Sequence, residues 1–108
     1  MSLTKEQLNI RNAEIDWYLA KLCFHAEHPD VWADYSPTSN WVDGGKIIEK
    51  YNVDVRWYDP KLFPTLEGQW VGGLQVMHNQ VLTYYTGYGN TPLLAAMRAV
   101  VKAYPNVS

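Results

Sequence analysis

The richest run for chemistry in this sequence is Gly87-Tyr88-Gly89-Asn90-Thr91-Pro92, directly ahead of the last helical pattern. Thr91 and Pro92 read as the N-cap and first residue of a helix. A helix start directs free N–H groups and the positive end of its dipole outward, and flanking glycines let a phosphate come close. Tyr88 would stack on a base, with Asn90 and the Thr91 hydroxyl as polar contacts. An ordinary strand-to-helix turn with its cap accounts for the same residues. The run is no Walker loop, because the Gly-Lys-Ser/Thr ending is missing. Two turns into the helix, Arg98 beside Met97 reads as partly inward, where a guanidinium needs a carboxylate or a ligand phosphate. A surface position, or an ion pair with Asp43 or Glu49, is the plainer alternative.

Trp32, Tyr35, Trp41 and Tyr88 form a second candidate set, a stacking cage for a planar ligand. Stacking contributes roughly 1–3 kcal/mol per base. Core packing or a protein interface would use the same rings, and for Trp41, beside an apolar helical pattern, core is favoured. Gly44-Gly45 falls in the first turn of that helix at a cost of roughly 1 kcal/mol per glycine against alanine, so something must approach the backbone closely there. His25 and His28, with Glu27 and Asp30, have metal-like spacing, but Pro29 disfavours a helix and His78 is distant, so a surface loop is the better reading. No G-x-S-x-G, Cys–His or H-E-x-x-H pattern is present. Asp30, Asp34 and Asp43 remain as acid–base candidates without a spacing that pairs them.

The elements that must position these residues are read from periodicity. Thr4-Lys5-Glu6-Gln7 has the form of a capping box, and Leu8, Ile15, Tyr18, Leu19 and Leu22 predict a helix over about 5–23. Residues 24–40 show no period and form a long aromatic loop. A helix follows, capped by Ser39 or Asn40, with Trp41, Ile47, Ile48 and Tyr51 inward. Val53, Val55 and Trp57 alternate as a strand that Asp59-Pro60 and Phe63-Pro64 end. Gln69–Met77 and Val81–Thr86 predict two more strands, joined as a hairpin through His78-Asn79-Gln80, with Gly72-Gly73 marking a bulge or a close approach. Leu93, Leu94, Met97, Val100, Val101 and Tyr104 make one helical stripe ending before Pro105. The expected fold is a small single α+β domain spanning 1–108, with about three antiparallel strands packed against about three helices.

Composition bounds the function. At 108 residues, 47% hydrophobic and 19% charged, the chain builds one folded core and is not disordered. Among its aromatics, 5 Trp and 8 Tyr outnumber 2 Phe, so most rings carry a polar handle. A net charge of −2 with no basic run argues against duplex nucleic acid. Lys46, Lys50, Arg56 and Lys61 alternate with Glu49, Asp54 and Asp59 and read as solvated surface. No apolar run approaches the roughly 20 residues of a membrane helix, and the polar start is no signal peptide. Cys23 is the only cysteine, which rules out an intrachain disulfide and suits a reducing cytoplasm.

Two segments together carry a family likeness. Tyr35-Ser36-Pro37-Thr38-Ser39-Asn40-Trp41-Val42-Asp43-Gly44-Gly45-Lys46-Ile47-Ile48-Glu49 resembles the central motif of the NinX-like family of small tailed-phage proteins. Thr91-Pro92-Leu93-Leu94-Ala95-Ala96-Met97-Arg98-Ala99-Val100-Val101 resembles that family's C-terminal helix. Their order and spacing, with the Trp70 strand between them, extend the likeness over roughly residues 35–104, and the N-terminal helix matches more weakly. The pattern departs at Lys46, where many members have proline. The resemblance implies a phage or prophage accessory gene acting in the cytoplasm of an infected bacterium, and it implies no reaction.

These features point to a non-enzymatic protein that sequesters a small nucleotide-like anion and so counters a host defence signal. Its expected ligand residues are Trp32, Tyr35, Trp41, Gly44, Gly45, Tyr88, Asn90, Thr91 and Arg98, with no metal and no cofactor. An inhibitor that covers a host or phage enzyme with an aromatic patch is the second reading, and a small nucleotide-degrading hydrolase the third. A homo-oligomer is expected of so aromatic a small chain.

Overall fold

A computed structural model describes residues 12–62 and 69–105. Helix α1 (Ala13–Phe24) starts at Asn12, whose backbone is extended and whose side chain accepts from the Ile15 N–H at 3.0 Å. The expected helix over about 5–23 is therefore corrected: the chain is not helical at residue 12. An asparagine amide competes for backbone N–H groups and caps a helix better than it continues one. The Thr4–Gln7 capping box lies outside the described residues. At the other end His25 adopts a left-handed conformation and its N–H donates to the Lys21 carbonyl at 3.0 Å.

The expected long loop contains a short 3-10 turn, Pro29–Trp32. Residues 36–38 are then buried, and Asp16 of α1, 2% exposed, accepts from both the N–H (2.9 Å) and hydroxyl (2.8 Å) of Thr38. The Thr38 hydroxyl in turn accepts from the Asn12 N–H at 3.1 Å. Helix α2 (Trp41–Tyr51) follows, with Asn40 as its cap through the Val42 N–H at 2.8 Å. Ile47 points into the core as expected, but Trp41 is 59% exposed, which corrects its inward assignment. It is the first residue of α2, at an end of the helix where the next residue, Val42, is exposed as well.

Strands β1 (Asp54–Trp57), β2 (Trp70–His78) and β3 (Val81–Gly89) form one antiparallel sheet in the order β1-β2-β3. The β2–β3 register is unbroken from Trp70↔Gly89 to His78↔Val81, so Gly72-Gly73 marks no bulge. Asn79 and Gln80 make the two-residue turn with φ of 49° and 68°, the left-handed pair that matches strand twist. Two expectations need correcting. Strand β3 runs on to Gly89, so Gly87-Tyr88-Gly89 is sheet and not turn. Trp57 alternates as expected yet is half exposed.

Helix α3 (Pro92–Ala103) holds the fold together, lying against all three strands on one side and α1 and α2 on the other. Nine of its twelve residues are buried, including Leu93, Leu94, Met97 and Val100. Its small residues Ala95, Ala96 and Ala99 face the sheet, and the strand glycines make that approach possible. A Cβ on Gly72 would meet the Ala95 carbonyl oxygen at 2.7 Å, and one on Gly87 would meet the Ala99 nitrogen at 2.4 Å. Glycine here brings helix and sheet backbones together, which is close packing and not ligand access. Among the described residues, no helix is long and apolar enough to cross a membrane.

Candidate functional site

The expected ligand residues separate into three places. Trp32 and Tyr35 come together. The 3-10 turn brings Trp32 onto Phe24, the last residue of α1, with ring centroids 5.1 Å apart and planes at 26°. Tyr35 stands edge-on to both, 5.6 Å from Phe24 and 5.4 Å from Trp32. Such offset and edge-to-face pairs contribute about 0.5–1.5 kcal/mol each beyond area burial. This aromatic triad forms one wall of a hollow of about 370 Å³.

The opposite wall is one face of α2. Asp43, Lys46, Ile47 and Lys50 line it at spacings of three, four and seven, the intervals that stack side chains on a helix. Cys23 completes the lining. Asp43 fixes the rim, since its Oδ2 accepts from the Ser36 N–H at 3.0 Å. Burial pushes the Tyr35 phenol well above its ordinary value, and the neighbouring Cys23, Asp43, Asp16 and Tyr51 push the same way. A phenol held so firmly protonated is a hydrogen-bond group and a poor acid–base catalyst. The site thus combines aromatic rings, two lysines and one carboxylate, with the Lys50 ammonium 5.4 Å from the centroid of the neighbouring Tyr51 ring.

Tyr88 and Arg98 make the second place, on β3 and α3. Arg98 is 8% exposed, and its Nη1 donates to the Tyr88 carbonyl at 2.5 Å. This burial corrects the surface position, the plainer expectation for Arg98, and gives it a backbone carbonyl as an observed partner. The Tyr88 ring has the Lys102 ammonium 6.0 Å from its centroid. Thr91 caps α3 through the Leu94 N–H at 3.2 Å, with exposed Asn90 before it. Tyr88, Asn90, Thr91 and Arg98 take no part in lining the aromatic hollow.

The glycine pair and Trp41 make the third place. Gly44 is packed by protein: a Cβ there would meet the Pro37 carbonyl oxygen at 2.5 Å and Leu93 Cδ2 at 2.6 Å. A Cβ on Gly45 would meet nothing within 4 Å, so the expected close approach belongs to Gly44 alone. Neither glycine nor Trp41 lines the hollow. His25 and His28 are exposed, and no group of three His, Cys, Asp or Glu among the described residues could hold a metal ion.

Phe24, Lys46 and Lys50 escaped the sequence reading. In sequence, the alternation of Lys46 and Lys50 with Glu49 reads as charge patterning on a solvated surface. Their helical spacing from Asp43 carried the better signal. Nothing local marks Phe24, which meets Trp32 only because the loop turns back.

A second, shallower hollow of about 760 Å³ lies on the sheet face opposite α3. Asp54, Arg56, Tyr58, Gln75, Met77, Leu82 and Tyr84 line it. Arg56 there is engaged with Asp54 at 2.8 Å.

A protein-family model described as "Bacteriophage P22, NinX" matches residues 11–103. No curated protein and no solved structure matches the chain. The matched span includes α1, the buried Ser36-Pro37-Thr38 segment, α2, the sheet and α3, so the whole described core lies within it. The chain therefore belongs to the phage NinX family.

Proposed function

We propose that the protein is a non-enzymatic phage accessory protein that binds and sequesters a small nucleotide-like anion, lowering the free concentration of a host defence signal. The observation that carries this reading is the aromatic hollow, where Phe24, Trp32 and Tyr35 face Lys46 and Lys50 across about 370 Å³. That volume falls within the roughly 300–1,000 Å³ typical of small-molecule sites. Rings of this kind stack on a base, and ammonium groups hold a phosphate as point charges. The ligand region is accordingly narrower than the sequence suggests: Trp32 and Tyr35 stay in it, Phe24, Lys46 and Lys50 join it, and the helix cap at Thr91 leaves it.

Calorimetric titration with cyclic nucleotides and ADP-ribose derivatives tests the proposal. Expected are saturable heat for at least one ligand, its loss in Lys46→Glu/Lys50→Glu, and recovery of the ligand unchanged after incubation. Absence of heat and of any thermal shift across the panel sinks the reading, and appearance of hydrolysis products turns it into an enzyme.

The open sheet face favours the second reading, an inhibitor of a host or phage enzyme. Met77, Leu82 and Tyr84 are each more than half exposed there and sit side by side on β2 and β3. Aromatic and methionine side chains are enriched at protein interfaces. Stoichiometric co-purification of one protein from infected cells, lost in Leu82→Glu, would support it.

A further inference from the structure

We infer that the aromatic hollow is selective for guanine nucleotides, with Asp43 as the specificity-determining residue. The inference rests on the reading that this hollow binds a nucleotide-like anion, and it concerns which base is taken.

The hollow has two chemically different ends. Asp43 contributes a carboxylate in the first turn of α2, and it is the one acidic residue in the lining. Its Oδ2 accepts from the Ser36 N–H at 3.0 Å. An ionised carboxylate offers about four lone-pair sites, so one bond to the Ser36 N–H leaves accepting capacity for a ligand. Lys46 and Lys50 follow on the same helical face. At about 1.5 Å of rise per residue, Lys50 stands roughly 10 Å further along the axis than Asp43. A ligand that satisfies both ends presents N–H donors at one edge and negative charge at the other.

Stacking and phosphate charge are shared by all nucleotides, since aromatic rings stack on any base and ammonium groups hold any phosphate. Asp43 is the one anionic acceptor in the lining, and selection for a base edge with two donors falls on it. Guanine presents two adjacent donors, N1–H and N2–H, which match the paired oxygens of a carboxylate. Adenine places its N1 lone pair at the same edge, facing an anion. A site whose acceptor is left unpaired by the wrong ligand, facing a lone pair instead of a donor, disfavours that ligand.

Calorimetry with GMP and AMP on the full chain tests this. GMP is expected to bind at least roughly tenfold more tightly than AMP, equivalent to about 1.4 kcal/mol. Asp43→Asn keeps an oxygen for the Ser36 N–H and replaces the other acceptor with a donor amide. It is expected to weaken GMP at least roughly tenfold and to leave AMP unchanged or tighter, with its melting temperature measured alongside. Inosine monophosphate, which lacks the N2 amine, is expected to bind the unaltered protein more weakly than GMP, a comparison that needs no variant. Equal affinity for GMP and AMP, or for GMP and inosine monophosphate, overturns the guanine inference while sparing the binding site. Binding of ADP-ribose without either mononucleotide does the same. A GMP preference that survives in Asp43→Asn removes the role from Asp43, and failure of every ligand overturns the site itself.

Discussion

Gly44 and Gly45 are neighbours in one turn of α2 and are expected to respond to alanine in opposite directions. A Cβ on Gly45 enters open space, so alanine there gains helix propensity and lowers unfolded-chain entropy, about 0.5–1 kcal/mol of stabilisation. A Cβ on Gly44 would sit 2.5 Å from the Pro37 carbonyl oxygen and 2.6 Å from Leu93 Cδ2. The leucine methyl can rotate away, but the carbonyl belongs to a segment pinned by Asp16 and Asp43 and cannot. Overpacking of this kind costs typically about 1–3 kcal/mol, and after the propensity gain a net loss of about 1–2 kcal/mol remains. For a domain this size the two variants should melt roughly 10 °C apart, on either side of the parent. Thermal unfolding followed by circular dichroism, with urea midpoints as a second measure, reads the difference. If Gly45→Ala loses as much stability as Gly44→Ala, the packing account of this turn is wrong. Gly45→Ala should also retain whatever nucleotide the parent binds, because Gly45 does not line the hollow.

Three further outcomes are expected. Asp16→Ala strands the buried Thr38 N–H and hydroxyl and should cost at least about 2 kcal/mol by chemical denaturation, so a change within about 0.5 kcal/mol would contradict the anchoring role. Burial raises the folded-state values of the Tyr35 and Tyr51 phenols above that of the unfolded chain. Their contribution to stability is therefore complete below about pH 10 and falls away above it, and urea midpoints between pH 8 and 11 should show Tyr35→Phe with a shallower alkaline decline than the parent. Gln80 holds φ of 68°, which costs a side chain roughly 1 kcal/mol. Gln80→Gly should accordingly stabilise the hairpin, and a lower melting temperature would argue against the left-handed turn.

Local signals carried much of the fold. Thr91-Pro92 and the stripe from Leu93 to Val100 mark α3 because a cap, a fixed φ and a 3.6-residue period coincide there. Asn40 and the alternation on either side of Asn79-Gln80 mark α2 and the hairpin in the same way. Long-range packing explains the misreadings. Gly87 and Gly89 look like turn residues until Ala95 and Ala99 are laid across them, and no local pattern reveals a helix approaching from ten residues away. Trp41 has the residue type of a core position, but its place at the start of α2 leaves it uncovered. At the site, Trp32 and Tyr35 were legible as rings without a packing period, whereas Phe24 required the loop's actual path. Lys46 and Lys50 were legible in principle, through their intervals from Asp43.

The central placement of α3 also bears on how the protein is made. Sheet and outer helices meet through this one element, and it is the last described element in chain order. While the chain emerges from the ribosome, α1, α2 and the hairpin are therefore synthesised before the helix they fold around. Their inner surfaces stay exposed to chaperones and proteases until residues 92–103 arrive. Truncation within that helix would remove the shared filling of both layers. A nascent or nicked chain lacking it should be cleared as a whole, which places quality control of the protein in twelve residues that do not line its aromatic hollow.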